Sequence, residues 1–336
     1  MQWQPSASIP VIRARAQLYR DIRQFFADRD LMEVDTPVLS AAAVSDPHLQ
    51  PMISQYQGPG FDQGLPLYLQ TSPEYAMKRM LAAGSGPIYQ LAKAFRNGES
   101  GRKHNLEFCM LEWYRPGFDD GLLMDEVEAL VDGVLSCAGG GGQERHQPNN
   151  TTGSKEFHRI SYRQLFQQHL GCDPHVASWQ QLKSLSLEHL NTELESDNPD
   201  DWLNLLIGHL LEPLLLEPTF IYDYPASQSA LARVAIDEQG QRVAKRFELF
   251  VNGVELANGY HELTDAQEQA RRFEQDCRLR AELGYPHYPV DRNLVDALEA
   301  GMPDCAGVAL GVDRLLMLQQ GVQHIDQVLA FPLARA

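Results

Sequence analysis

Two glutamates flank a turn in the first part of the last third of this 336-residue chain. In FELFVNGVELANGY, Asn252-Gly253 between two apolar runs is a strong signal for a two-residue hairpin. If the turn forms without interruption, Val251 faces Val254, Phe250 faces Glu255 and Glu248 faces Ala257. The two-residue period of a strand then puts Glu248 and Glu255 on one face as diagonal neighbours, about 7 Å apart or closer. Two carboxylates on a largely buried face repel unless something positive lies between them. A divalent cation such as magnesium suits this pair, because it is commonly held by one or two carboxylates plus substrate phosphates. The alternative is that one of the glutamates is simply exposed at a sheet edge.

The second feature is Arg96, at the end of PIYQLAKAFR and followed by a polar loop with Arg102, Lys103 and His104. A guanidinium suits phosphate because its planar fork meets two oxygens at once; a solvated basic turn is the competing reading. The third feature is GVALGVDR, residues 307–314. Its glycines allow close approach of a ligand or of backbone, and Arg314 in the first turn of a helix is disfavoured by the helix dipole, which invites a functional reason. Pairing with Asp313, or plain solvation, is the alternative. No GxxxxGK[ST] or GxGxxG is present, so neither a P-loop nor a Rossmann site is supported. His104, His261 and His287 lack metal-ligand spacing and read as structural.

The elements that must position these residues follow from periodicity. Residues 10–32 read as a helix, with Ile12, Leu18, Ile22, Phe25 and Phe26 on one face. EVDTPVLS is a short extended segment with Pro37 at a strand end. A helix starts at TSPEYAMKRML, with Ser72 as its cap, Pro73 at the first helical position and Glu74 in the first turn. PIYQLAKAFR and NLEFCMLEWY form a hairpin with a long charged connection. Phe108, Met110, Glu112 and Tyr114 share one face of it, and Glu107 lies on the other. Residues 138–155 are Gly-, Asn- and Thr-rich and read as a flexible surface insertion. Residues 160–217 read as mostly helical, a lid or insertion between the sheet's halves. FIYDYP resumes the sheet, a helix covers 265–283, and GVALGVDRLLML is a strand running into a helix. Strands in hairpins with grouped helices and no regular βαβ alternation predict an antiparallel-rich α+β fold.

Composition bounds the rest. Lys plus Arg number 28 and Asp plus Glu 45, a formal charge of −17, which argues against a broad nucleic-acid surface. The greasiest run, 203–216, is broken by His209, Glu212 and Pro213, so no spanning helix or membrane role is expected. The N-terminus lacks an apolar signal core. Five cysteines without a CxxC pair support neither a disulfide framework nor a zinc ribbon, and point to a reducing cytoplasm.

These segments, in this order, resemble the three signature motifs of class II aminoacyl-tRNA synthetases. VDTPVLS resembles the dimer-interface motif, FRNGES…HNLEFCMLEWY the ATP-binding strand–loop–strand, and GVALGVDRLLML the third motif. FELFVNGVELANGYHEL, TSPEYAMKRM and RKHNLEF are most similar to the catalytic domain of the lysyl-tRNA synthetases. The resemblance implies a single class II catalytic domain over 1–336, an antiparallel sheet flanked by helices, and a homodimer. An N-terminal anticodon-binding barrel is not expected. A lysine-activating domain without that barrel resembles the synthetase-like ligases that attach (R)-β-lysine to a lysine of translation elongation factor P, with ATP and magnesium and without tRNA. Ala309 fits this branch, because the lysyl synthetases carry Gly there; one methyl on a pocket wall is worth about 1–3 kcal/mol of discrimination. Activation of α-lysine for tRNA or another small acceptor, and a non-catalytic regulatory paralogue, are the alternatives.

The resemblance also implies roles. Arg96 binds the α-phosphate and the substrate carboxylate. His104 and Asn105 hold adenine, with Phe108 stacking on it, and Asn97, Gly98 and Leu249 join the ATP site. Gly98-Glu99 stands where the synthetases have Glu-Gly. Glu248 and Glu255 hold magnesium, and Glu255 also reaches the amino acid. Arg314 contacts the γ-phosphate or flanks adenine, with Gly311 allowing close approach. Ser72, Pro73 and Glu74 face the substrate amino group. Tyr114 and Glu262 recognise the distal ammonium, with Glu112, Asn258, Tyr260 and Ala309 lining the pocket.

Overall fold

The computed structural model describes residues 3–137 and 156–336. These divide into two units, one of 3–117, 133–137 and 264–336 and the other of 118–132 and 156–263. The proposed insertion at 138–155 lies outside the described residues. Among the described residues no helix is long and apolar enough to cross a membrane.

The first unit opens with helix α1 (Ile9–Ala27). Leu18, Ile22 and Phe26, four residues apart, form its fully buried stripe. Phe26 stacks on Tyr89 at 4.4 Å and meets Trp113 at 5.3 Å. The helix stops short of residue 32 because Asp30 takes a left-handed φ of 56°, and the chain turns into β1 (Met32–Glu33). A segment without a sequence expectation, 41–69, supplies most of a small antiparallel sheet: β2 (Leu39–Ser40), β3 (Ile53–Gly58) and β4 (Phe61–Leu69), in the order β2-β4-β3. Helix α2 (Glu74–Ala82) follows. The expected hairpin is present as β5 (Ile88–Phe95) and β6 (Glu107–Pro116), paired from Ile88–Tyr114 to Phe95–Glu107. Helix α3 (Asp120–Cys137) leads out of it.

In the second unit β7 (His158–Ser161) precedes helices α4 (Tyr162–Leu170), α5 (Trp179–His189) and α6 (Pro199–Leu206). Ser161 and Ser178 each close a capping box, with Gln164 and Gln181, which explains why α4 and α5 start where they do. A π-helical turn and a 3-10 turn extend the run to Leu214. This stretch is a packed layer. Tyr162, Phe166, Trp202 and Leu206 share one buried core with Ile221, Tyr224, Ala244 and Phe250, residues of strands β8 (Thr219–Pro225) and β10 (Arg242–Val251). The order β11-β10-β8-β7 completes this sheet, with the short β9 (Val234–Ile236) also on β10 and β11 spanning Val254–His261.

The remainder of the first unit is helix α7 (Ala266–Glu282), helix α8 (Arg292–Gly301), which had no sequence expectation, strand β12 (Cys305–Gly311) and helix α9 (Val312–Gln320). Asp265 caps α7 by accepting from the Glu268 amide. Strand order in this unit is β1-β5-β6-β12. The pairing is antiparallel apart from β1–β5 and β7–β8, which are parallel. The fold is therefore α+β with a mixed, mainly antiparallel sheet.

Candidate functional site

In the first unit the hairpin β5–β6 and the strand–helix pair β12–α9 carry most of the candidate residues. Arg96 leaves the end of β5 with its amide bonded to the Leu106 carbonyl at 2.9 Å. Its guanidinium lies 5.1 Å from the Phe108 ring and 3.5 Å from Glu99. Its Nε is buried without a hydrogen-bond partner, a donor left for a ligand to satisfy. The Asn97 amide donates to the Gln50 carbonyl at 2.8 Å. Gly98 follows with φ 84°, a conformation that glycine adopts at no steric cost.

At the far end of this loop, His104 Nε2 meets an Arg314 Nη2 donor at 2.7 Å. The second and third sequence features are thus in direct contact. Arg314 is not paired with Asp313. Asp313 turns inward instead, accepting from Arg15 at 2.5 Å and from the Cys109 amide at 2.7 Å. Gly311 is the N-cap of α9 with an ordinary φ of −76°. Asn105 is buried and both ends of its amide are engaged. Its nitrogen donates to the Glu107 carbonyl at 2.7 Å, and its oxygen accepts from the Leu333 amide at 3.2 Å.

Further along the hairpin, Glu112 is 2% exposed and accepts from the Tyr114 hydroxyl at 2.7 Å. Strand register places Gln90 on one side of Glu112 and Ala309 on the other. Gln90 in turn accepts from the Thr36 hydroxyl at 3.0 Å. The methyl of Ala309 thus neighbours a buried carboxylate. Glu107, on the other face as expected, pairs with the surface Lys93 at 3.0 Å.

Ser72 is not the cap of α2. Pro73 occupies that position and no side chain caps the helix. The first helical bond runs from the Met77 amide to the Pro73 carbonyl, so Ser72 lies one residue outside the turn its hydroxyl would have to reach. Glu74 bonds Lys78 one turn later at 2.6 Å, and Lys78 is 2% exposed.

The second unit holds the paired glutamates. The turn forms as expected, with φ 53° at Asn252 and 64° at Gly253, the left-handed pair that a type I′ hairpin requires. Phe250 faces Glu255 and Val251 faces Val254. A β-bulge between Leu249 and Phe250 then shifts the register, so Glu248 faces Asn258 and not Ala257. Simple two-residue counting misses the extra residue on β11. Glu248 is nonetheless within electrostatic reach of Glu255. Burial raises its carboxyl above the usual range, Arg246 opposes that, and Glu255 adds to it.

Both oxygens of Glu248 have a protein donor: Arg246 on Oε1 and the Tyr224 hydroxyl on Oε2 at 2.8 Å. Burial, then the charge of Glu248, keeps that hydroxyl protonated far above its ordinary range. Arg246 also donates to Asn258 Oδ1 at 3.2 Å and to the Gln228 carbonyl at 2.9 Å, and faces Tyr260 across the strands. The Leu249 side chain is fully buried, and Glu262 is 1% exposed just beyond β11. Neither Arg246 nor Tyr224 was anticipated, although Arg246 stands two residues before Glu248 and strand alternation alone puts both on one face.

Among the described residues no group of three or more His, Cys, Asp or Glu side chains is placed to hold a metal ion. Two carboxylates in mutual repulsion remain a fitting donor set for magnesium, which takes hard oxygen ligands and completes its octahedron from phosphate and water. Each Glu248 oxygen still has a second lone pair.

A family model described as tRNA synthetases class II (D, K and N) matches residues 2–335. Elongation factor P–(R)-β-lysine ligases of Salmonella paratyphi B (strain ATCC BAA-1250 / SPB7), Salmonella heidelberg (strain SL476) and Salmonella enteritidis PT4 are each 50% identical over 338 residues. Those alignments cover 99% of this chain and 98% of each relative. The chain belongs to the class II tRNA synthetase family (D, K and N).

Proposed function

We propose that this chain uses ATP to activate (R)-β-lysine as an adenylate and transfers it to the ε-amino group of a lysine on elongation factor P. The observation that carries the reading is 50% identity, across 99% of the chain, to ligases of that name. The substrate carboxylate attacks the α-phosphorus of ATP and pyrophosphate leaves. The acceptor amine then attacks the carbonyl of the adenylate, an amide forms, AMP leaves and the amine sheds a proton. Neither step needs a covalent enzyme intermediate, so the protein's part is positioning and charge stabilisation.

In the first unit, Arg96 takes the phosphate and carboxylate oxygens; its buried Nε without a partner supports this. Phe108 carries the adenine ring and, with the Arg96 guanidinium 5.1 Å away, offers a face and a charge together. Arg314, held by His104, takes the terminal phosphate, with Asn97, Gly98, Asn105 and Gly311 shaping the backbone around the nucleotide. Ser72, Pro73 and Glu74 face the substrate amino group; Glu112, Tyr114 and Ala309 form a wall for its side chain. In the second unit, Glu248 and Glu255 hold magnesium, and Asn258, Tyr260 and Glu262 contact the amino acid. Magnesium, when bound, offsets phosphate charge and eases departure of pyrophosphate. The reaction is cytoplasmic, as befits a translation factor as acceptor. A homodimer is supported by the apolar side chains that Val38, Leu39, Ile53 and Phe61 leave exposed on the first unit; light scattering tests it.

The test is incubation with ATP, magnesium, elongation factor P and either lysine isomer, read by intact mass. One added lysyl residue with the β isomer is expected. No mass gain with either isomer overturns the reading.

A further inference from the structure

Resting on the reading of Glu248 as a magnesium ligand, we infer that Arg246 and Tyr224 are positioning residues that set the direction of the Glu248 carboxylate for the metal–nucleotide complex. A carboxylate on a strand rotates about its last bond unless something fixes it. Here each oxygen is met by a different donor, Arg246 on one and the Tyr224 hydroxyl at 2.8 Å on the other. That leaves one orientation and one lone pair per oxygen. The two donors are themselves locked together, with the Arg246 guanidinium 4.6 Å from the Tyr224 ring.

Arg246 is not a simple counter-ion. Its fork reaches two residues assigned to ligands, Glu248 and Asn258, and is anchored behind by the Gln228 carbonyl at 2.9 Å. Asn258 faces Glu248 only because of the bulge after Leu249; without it, a smaller side chain, Ala257, would stand there. The bulge and the arginine thus act together. One places an amide beside the carboxylate, and the other ties amide and carboxylate to a common donor. Partners that orient ligating groups are commonly worth about 10- to 100-fold in metal affinity.

The experiment is calorimetric titration of the full chain with ATP, without amino acid, at trace and at saturating magnesium. The wild type binds ATP more tightly as magnesium rises. In Glu248→Gln that gain is expected to disappear. In Arg246→Met it shrinks by about 10- to 100-fold while magnesium-free affinity stays as in the wild type. Arg246→Lys, which restores charge without the fork, recovers part of it. Tyr224→Phe deletes one hydroxyl, keeps the ring, and carries the test if Arg246→Met fails to fold; its gain is expected to shrink too. A full magnesium-dependent gain in folded Arg246→Met or Tyr224→Phe, alongside its loss in Glu248→Gln, overturns the inference alone. A full gain in Glu248→Gln overturns the reading on which it rests.

Discussion

Asp313 offers the sharpest test of how the third motif is held. It is 3% exposed and accepts from the Cys109 amide on β6 and from Arg15 on α1. Arg15 uses the same nitrogen to reach the Val328 carbonyl at 2.8 Å. Asp313→Ala removes the acceptor of two buried donors at once. An arginine whose side chain is 17% exposed loses its counter-charge, and a strand amide loses its bond. Breaking one side of a buried ion pair costs about 3–5 kcal/mol, and the orphaned amide is part of that figure, at about 1–3 kcal/mol. For a chain of this size each kcal/mol lowers Tm by about 2–4 °C, so a fall of about 6–20 °C is expected. The double variant Arg15→Met with Asp313→Leu leaves no unpaired buried charge, only the Cys109 amide and the Val328 carbonyl without these partners, so it should melt above the single Asp313→Ala. Thermal and urea unfolding followed by circular dichroism read both. A single variant within about 2 °C of wild type, or a double variant less stable than the single, would refute the argument that this carboxylate is the internal tie of α1, β6 and α9.

Three further outcomes follow from the geometry. Arg96→Ala should lower ATP–pyrophosphate exchange by about 10²- to 10³-fold or more, as loss of a preorganised donor does, and near-normal exchange would remove its assigned role. Gly253→Ala should cost about 1–2 kcal/mol in urea unfolding, because φ is +64° and the new methyl would lie 3.2 Å from the Glu212 carbonyl oxygen; an unchanged midpoint would show that the turn is not a left-handed pair. Burial, with Arg163 nearby, holds the His175 imidazole below its ordinary 6.5. Below that pH the unfolded chain takes up a proton that the folded chain resists, so stability falls with acid. Tm should drop below about pH 6.5 and fall less steeply in His175→Asn; identical pH slopes would contradict this.

What could be read from sequence was what is local. Asn252-Gly253 names a turn because the two residues themselves must take left-handed φ, and the hairpin around it follows. The strand–helix passage into α9 and the β5–β6 hairpin are legible for the same reason: periodicity changes within a few residues. Ser72 shows the limit of such reading at the scale of one residue. Ser-Pro-Glu signals a helix start, yet which residue is the cap depends on where the first backbone bond closes. The bulge shows the limit at the next scale. It adds one residue to β11 with no breaker in ELAN to announce it.

The relations between distant segments were hidden for a different reason. Arg314 beside Asp313 suggests a sequence-neighbour pair, but successive residues on a helix point away from each other. Asp313 therefore faces inward to Arg15, 298 positions earlier, and Arg314 faces outward to His104, 210 positions earlier. No spacing rule connects those numbers; only the strand β12, bringing the start of α9 alongside β6, does. Arg246 stands between the two cases. Its place on the Glu248 face was implied by strand alternation. Its function required knowing that Tyr224 arrives from the neighbouring strand to hold the other oxygen. A carboxylate pair read alone suggests a cation between repelling charges. Read with Arg246, the first of those charges already has a cation beside it, so the net charge awaiting a metal is nearer one than two. Magnesium held there would depend on phosphate oxygens for the rest of its neutralisation, which would couple metal binding to the nucleotide.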